Sequence, residues 1–130
     1  MTVGILLICH NDIGAQLIET ATDMLERAPT RLGHIDVRQD DDPIDLLEQA
    51  RRRVAELDAG QGVLVMTDMY GSTPSNIAHR LLDRQAVRVL SGANLPMLVR
   101  ALNYARLELP AMTEKACRGG RDGIVQDNAE

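Results

Sequence analysis

Hydrophobic residues form two continuous runs in this chain, at positions 3–9 and 63–66, and polar residues flank each run. Continuous apolar runs of this length are typical of strands that helices cover on both faces of a sheet. Residues 32–37 instead alternate between apolar and polar positions, which predicts an edge strand with one partly solvated face. Residues 87–90 predict a further strand.

Helical spacing, with apolar residues three or four positions apart, fills the segments between these strands. The first helix is predicted to end at Pro29, and Asn11 or Asp12 is available as its N-cap. Asp42 and Pro43 suit the N-cap and the first position of the second helix. The helices are predicted at 13–28, 43–57, 74–82 and 95–105.

The C-terminal part has a weaker pattern from Pro110 onward. Glycines at positions 119, 120 and 123 are predicted to break a last helix-like segment, because glycine is unfavourable inside helices. Ile124 and Val125 then predict a short strand before a polar tail. Strands that alternate with helices predict a single α/β domain over residues 1–130, in three layers, with a mostly parallel sheet and helices on both faces.

Composition excludes several classes of function. The 130 residues include 14 Lys+Arg and 19 Asp+Glu, a formal net charge of −5. The chain therefore lacks the basic surface with which proteins bind nucleic acid. It has no Trp, no Phe and two Tyr, so it offers no aromatic platform on which a sugar could stack. The longest apolar run is far shorter than the ~20 residues that cross a bilayer, which predicts a cytoplasmic protein.

Cofactor and metal chemistry leave no signature in the sequence. Cys9 and Cys117 lack a CxxC spacing and are predicted to be reduced structural thiols. The acidic run at 40–42 fits the start of a helix better than a metal site. No Gly-rich phosphate-binding motif surrounds Lys115, the only lysine. We therefore expect neither a cofactor nor a metal.

Two chemically useful side chains follow the buried strands: His10 comes directly after residues 3–9, and Asp68 comes shortly after residues 63–66. Ligands of open α/β sheets bind beyond the carboxyl ends of the strands. If the two strands are neighbours, Asp68 can accept a hydrogen bond from Nδ1 of His10 and leave the Nε2 lone pair free as a nucleophile. A purely structural histidine is the alternative. His34 and His79 lack this context and are expected to be surface or capping residues.

The segments next to this pair offer groups that bind phosphate. Gly71, Ser72 and Thr73 form a predicted turn with backbone N–H groups and two hydroxyls at the start of a helix. Asn11 stands at the start of the first helix. These groups are candidates to hold the oxygens of a phosphoryl group on His10.

Three apolar residues near the predicted site form a candidate docking patch for a partner protein: Met69, Tyr70 and Met97. Burial in the core is the alternative for the two methionines, because methionine commonly fills core gaps. Tyr70 lies in a predicted turn, which favours the surface.

Four features, taken together and in this order, resemble the enzyme IIA component of the mannose family of the bacterial phosphoenolpyruvate-dependent sugar phosphotransferase system. They are the apolar strand that ends at His10, the buried strand 63–66 that leads to Asp68, the sequence DMYGSTPSN at 68–76, and the sequence SGANLPML at 91–98. The loop departs from the family pattern at Ser72, where the family commonly has a second glycine.

The resemblance implies a phosphohistidine carrier. His10 would receive a phosphoryl group from the phosphocarrier protein HPr and pass it to a histidine or cysteine of a IIB partner, peripheral to a membrane permease at most. Asp68 would orient the imidazole, while Thr73 and the adjacent loop amides would hold the phosphoryl oxygens. The resemblance also implies a homodimer that exchanges an antiparallel C-terminal strand, for which Ile124 and Val125 are suited.

Three alternatives remain open at this point. The chain could be the phosphoryl-donor subunit of a dihydroxyacetone kinase, although such proteins usually carry additional carrier domains. It could be a regulatory binding module without turnover. A receiver-like domain phosphorylated on aspartate fits less well, because such domains hold magnesium with acidic residues directly after the first strand; here that position is occupied by His10 and Asn11.

Overall fold

A computed structural model describes residues 1–83 and 86–129 of the chain. Strands and helices alternate as the sequence predicts. The strands are β1 (Gly4–His10), β2 (Leu32–Val37), β3 (Val63–Thr67) and β4 (Val87–Ser91). The helices are α1 (Ile13–Leu25), α2 (Pro43–Leu57), α3 (Thr73–Arg80), which continues as a 3-10 turn (Leu81–Asp83), α4 (Leu95–Asn103) and α5 (Leu109–Asp122).

The strands form a parallel sheet in the order β2-β1-β3-β4. The prediction of a mostly parallel α/β sheet is therefore confirmed, and so is the edge position of β2. The sheet register pairs His10 with Val37 on one side of β1 and Ile8 with Thr67 on the other. The carboxyl ends of β1, β2 and β3 thus lie at one edge of the sheet.

Two hydrophobic cores, one on each face of the sheet, explain the three layers. Successive side chains of a strand point to opposite faces. Ile5 and Leu7 of β1 accordingly join a core with α1, α4 and α5, whereas Leu6 and Ile8 join a core with α2 and α3. All four side chains are fully buried, and each contributes about 1.5–3 kcal/mol of hydrophobic stabilisation.

Polar caps fix the starts of two helices. The side chain of Asp42 accepts a hydrogen bond from the backbone N–H of Ile44 at 2.9 Å, and Asn94 accepts one from Met97 at 2.9 Å. Each satisfies one of the backbone donors that a helix leaves free at its first turn. The first helix ends at Leu25, before the predicted end at position 28, because Glu26 adopts a left-handed conformation with φ 60°.

The prediction that glycines break the last helix is wrong for Gly119 and Gly120, because α5 continues through both to Asp122, and it is correct for Gly123, which caps the end of α5. A Cβ atom at Gly119 would lie 2.6 Å from Cβ of Arg100, and one at Gly120 would lie 3.2 Å from Cβ of Met97. The absent side chains thus let α5 lie close against α4, and this packing outweighs the low helix propensity of glycine.

The C-terminal residues beyond α5 form no strand within the described chain. Ile124 and Val125 are instead highly exposed. Over residues 1–83 and 86–129, every helix is too short or too polar to cross a lipid bilayer.

Candidate functional site

The candidate site lies at the carboxyl ends of the two central strands. His10 is the last residue of β1, and Asp68 directly follows β3. The chain passes from β1 to β2 on one side and then crosses back to β3 on the other. This reversal of strand order creates the crevice in which α/β sheets bind ligands. β1 and β3 are neighbours in the sheet. This is the condition under which the sequence predicts that Asp68 reaches the imidazole of His10.

One carboxylate oxygen holds the imidazole of His10. Oδ2 of Asp68 lies 2.8 Å from Nδ1 of His10 and accepts a second hydrogen bond, of 3.0 Å, from the backbone N–H of His10. A carboxylate can only accept hydrogen bonds, so the proton of the neutral imidazole lies on Nδ1. Nε2 therefore keeps its lone pair, and the His10 side chain is 42% exposed.

The second carboxylate oxygen of Asp68 is enclosed by protein. Oδ1 is buried and accepts no hydrogen bond from any residue in the described parts of the chain. A buried carboxylate oxygen without a donor carries a desolvation cost. The two hydrogen bonds that Oδ2 accepts from His10 therefore carry the orientation of both side chains.

A cavity of about 520 Å³ opens beside His10. Asn11 and Thr73, two of the three predicted phosphoryl-binding residues, line it together with His10 and Arg38. Asn11 has φ 48°, a left-handed conformation that asparagine adopts more readily than most residues. Its backbone N–H donates to the carbonyl of Val37 at 2.9 Å, which ties the end of β1 to the end of β2.

Ser72, the third predicted phosphoryl-binding residue, is engaged within its own loop. Its hydroxyl donates a 2.6 Å hydrogen bond to the carbonyl of Met69. Gly71 has φ 85°, where glycine is favoured. Ser72 has φ −85° and ψ 173°, an extended conformation that any residue adopts. The serine at this position therefore causes no backbone strain, although the resemblance drawn from the sequence leads one to expect glycine there.

The predicted docking patch is only partly at the surface. Met69 is 64% exposed and Tyr70 is 76% exposed. Met97 is 4% exposed, so its assignment to the patch is wrong. It lies in the first turn of α4, where α5 covers it at Gly120.

A histidine that was expected to be a surface or capping residue contacts this loop. The ring of Tyr70 packs edge-to-face on His79, with the ring centroids 5.8 Å apart. Nδ1 of His79 donates to the carbonyl of Ser75 at 2.7 Å, so the imidazole that Tyr70 contacts is itself held by α3.

Sequence reasoning missed Arg38, which follows β2 directly. Its Nη2 donates to Oδ1 of Asp12 at 2.7 Å, and its Nη1 lies 3.4 Å from Oδ1 of Asn11. The hydrogen bond and the charge of Asp12 raise the pKa of the guanidinium further above its ordinary value. A signal existed: β2 was predicted to end at residue 37, and the next residue would lie beside His10 if β2 paired with β1.

No three His, Cys, Asp or Glu side chains form a group that could hold a metal ion within residues 1–83 and 86–129. The acidic run at 40–42 has other contacts: Asp42 caps α2, and Asp41 accepts a hydrogen bond from the backbone N–H of Arg38. The absence of a metal requirement stays a prediction.

The thiol of Cys9 lies beneath the site, and burial raises its pKa to about 12, with the charge of Asp68 adding to the effect. At pH 8 only about one Cys9 in 10⁴ is then a thiolate, the form that reacts with alkylating agents. Cys117 is only partly buried. We expect iodoacetamide at pH 8 to add once to the native protein and twice to the unfolded protein, as measured by intact mass. Cys117→Ser should remove the native adduct, whereas rapid native labelling of both thiols would contradict this arrangement.

Comparisons with known proteins agree with the fold and the family. Residues 4–117 match the family described as "PTS system fructose IIA component" (EIIA-man). The chain is 34% identical over 128 residues to the PTS system mannose-specific EIIAB component of Escherichia coli (strain K12), covering 95% of this chain and 39% of that relative. It is 29% identical over 122 residues to the transcriptional regulatory protein LevR of Bacillus subtilis (strain 168), covering 89% of this chain and 13% of that relative. The chain thus spans well under half the length of these two relatives.

The fold is also similar to that of a solved structure, the mannose/sorbose specific IIA subunit of the phosphotransferase system from Enterococcus faecalis. The TM-score is 0.87 at 18% identity, and the similarity covers 100% of this chain and 98% of that chain. Together with the match to the family over residues 4–117, these findings show that the chain belongs to the mannose family of EIIA components of the phosphotransferase system (PTS).

Proposed function

We propose that this chain is a phosphohistidine carrier. Nε2 of His10 accepts a phosphoryl group from an HPr-like donor and passes it to a IIB-type acceptor. The observation that carries the proposal is the 2.8 Å contact between Nδ1 of His10 and Oδ2 of Asp68, because it leaves Nε2 as the free nucleophile beside an open cavity.

Phosphoryl transfer to Nε2 of His10 requires no net gain or loss of a proton by the protein. The Nε2 lone pair of His10 forms a bond to phosphorus, while the bond between phosphorus and the donor's imidazole nitrogen breaks. The electron pair of that broken bond returns to the donor's imidazole. The Nδ1 proton of His10 stays between the ring and Asp68, whose negative charge stabilises the positive charge that develops on the imidazole. The reverse sequence of bond changes delivers the group to the acceptor.

Neighbouring polar groups support the bound phosphoryl group. Thr73 and Asn11 line the same cavity as His10, and Thr73 is the first residue of α3. The N-terminus of a helix carries a partial positive charge and free N–H groups, which favour phosphate oxygens. We therefore assign Thr73, Asn11 and the 68–73 loop to phosphoryl binding, with no cofactor.

The exposed part of the docking patch suits a protein partner. Met69 and Tyr70 lie on the loop that follows Asp68, and both are exposed. Exposed methionine and tyrosine are adaptable and amphipathic contact residues, respectively. We assign these two residues to contacts with the donor and the acceptor, which must both bring a phosphoryl group to His10.

A homodimer with an exchanged C-terminal strand remains part of the proposal. Ile124 and Val125 are exposed beyond α5, and β4 lies at an edge of the sheet, where unpaired backbone groups can accept another strand. We expect light scattering at micromolar concentration to give the mass of two chains, and removal of residues 124–130 to shift the protein toward one chain. A full-length monomer under these conditions would contradict the exchange.

A regulatory output is the second candidate, because the chain is also similar to a transcriptional regulatory protein over 122 residues. In this alternative the domain binds a partner without turning over. Replacing His10 by Ala would then leave partner binding and cellular phenotype unchanged, whereas a carrier would lose its function.

The experiment that tests the carrier is intact-mass spectrometry after incubation with phosphoenolpyruvate, enzyme I and HPr. We expect one phosphoryl adduct that is lost in acid and stable in base, since phosphohistidine has this behaviour and an acyl phosphate on aspartate is labile in base. An unmodified chain in the presence of phosphorylated HPr would contradict transfer from this donor.

A further inference from the structure

We propose that Arg38 binds the phosphoryl group on His10 and exchanges its ion pair with Asp12 for the phosphoryl oxygens. This inference rests on the proposed function, since it describes what the same cavity does once His10 is phosphorylated. It assigns a role to a residue that lies outside the His10 strand, the Asp68 loop and the start of α3.

The sheet register places Arg38 beside the nucleophile. His10 and Val37 are partners in the parallel pairing of β1 and β2, so Asn11 and Arg38 leave their strands at the same level. The backbone bond from Asn11 to the carbonyl of Val37, 2.9 Å long, holds these ends together. His10 and Arg38 therefore line one cavity.

The cavity is surrounded by acidic side chains, so binding of a negatively charged phosphoryl group requires a cation nearby. Among the described residues that line it, Arg38 is the only lysine or arginine. Asp12, Asp36 and Asp41 all act on its charge, and Asp68 lies behind His10. A phosphoryl group adds further negative charge to this acidic surrounding. Without Arg38, the nearby charges would oppose its binding.

The ion pair between Arg38 and Asp12 can be exchanged for a contact with the phosphoryl group. Its side chain is 54% exposed and its Nη2 contacts Asp12 at 2.7 Å. An exposed ion pair of this kind contributes little to stability, because solvent screens both charges. The planar guanidinium forms paired hydrogen bonds with phosphate oxygens, and a phosphoryl group carries more negative charge than a carboxylate. The exchange from Asp12 to the phosphoryl group is therefore favourable and needs only a side-chain movement.

The pH at which the phosphoryl group loses its second proton tests the contact with Arg38. Phosphoramidate phosphorylates histidine directly, so wild-type protein and variants can be loaded without a protein donor, and intact mass confirms that His10 is required. Phosphorus-31 NMR then gives the pH midpoint of the second phosphoryl ionisation. Arg38→Gln should raise this midpoint by about 0.5–1 pH unit, because a nearby cation favours the dianion. Arg38→Lys should restore part of the shift.

Arg118→Gln is the matched control, because Arg118 also pairs with a carboxylate, that of Glu114, and its side chain is 61% exposed. It lies on α5, away from the residues that line the cavity, and should leave the midpoint unchanged. Equal midpoints in wild-type protein and Arg38→Gln, with both phosphorylated on His10, would overturn the role of Arg38 and leave the carrier function intact. Failure of the wild-type protein to accept the group from phosphorylated HPr would overturn the carrier function and, with it, the role of Arg38.

Discussion

His10→Ala is expected to eliminate the phosphoryl adduct that wild-type protein acquires from phosphoenolpyruvate, enzyme I and HPr. The substitution removes the nitrogen that forms the bond to phosphorus, and no other group at the carboxyl ends of β1 and β3 combines a free lone pair with an orienting carboxylate among the described residues. The fold should persist, because the side chain is 42% exposed and little apolar burial is lost. Intact mass at neutral pH measures the result.

The chain offers a closely matched control in His34. Its Nδ1 lies 2.8 Å from Oδ1 of Asp36, and its side chain is also 42% exposed. His34 is in the middle of β2, however, and is absent from the cavity that His10 and Thr73 line. We expect His34→Ala to be phosphorylated like the wild type. An adduct that survives in His10→Ala and disappears in His34→Ala would contradict the assignment of the site.

Asp68→Asn is expected to slow phosphoryl transfer to His10 by about 10²–10⁴-fold, the range seen when the group that orients a catalytic histidine is changed. An amide can present its NH₂ group to Nδ1 and thereby favour the tautomer with the proton on Nε2. The nucleophilic lone pair would then be lost although the ring stays in place. Quenched-flow mass spectrometry with phosphorylated HPr in excess gives the rate of adduct formation.

Two measurements separate this effect from misfolding. Glu114→Gln changes a carboxylate on α5 that pairs with Arg118, away from the residues that line the cavity, and should leave the transfer rate unchanged. Thermal unfolding should show that Asp68→Asn remains cooperatively folded. A folded Asp68→Asn protein that transfers at the wild-type rate would remove Asp68 from the mechanism.

Much of the fold followed from local patterns in the sequence. The run at 3–9 and the alternation at 32–37 located β1 and β2 within one residue of their ends, because burial on both faces and burial on one face select different side chains. Asp42 likewise marked the start of α2. The position of His10 at the end of a buried strand was therefore predictable.

The remaining features depend on contacts that no local pattern shows. The pairing of His10 with Asp68 required β3 to lie next to β1, which is a property of strand order. Met97 was assigned to the docking patch because it follows the predicted site in the sequence, whereas the contact with α5 that buries it joins distant parts of the chain. Gly119 and Gly120 remain helical because their missing side chains allow contact with α4. Arg38 was overlooked because its significance comes from the register between two strands.

The Asp68–His10 contact joins residues that are 58 positions apart in the chain. Contacts of such long sequence separation close large loops at an entropic cost and tend to slow folding. In a nascent or unfolded chain His10 is an ordinary imidazole, since its carboxylate partner is distant and β1 has not yet paired with β3. Under the proposed function, His10 would therefore accept a phosphoryl group only after β1 and β3 have paired, and unfolded chains would not draw phosphoryl groups from the donor.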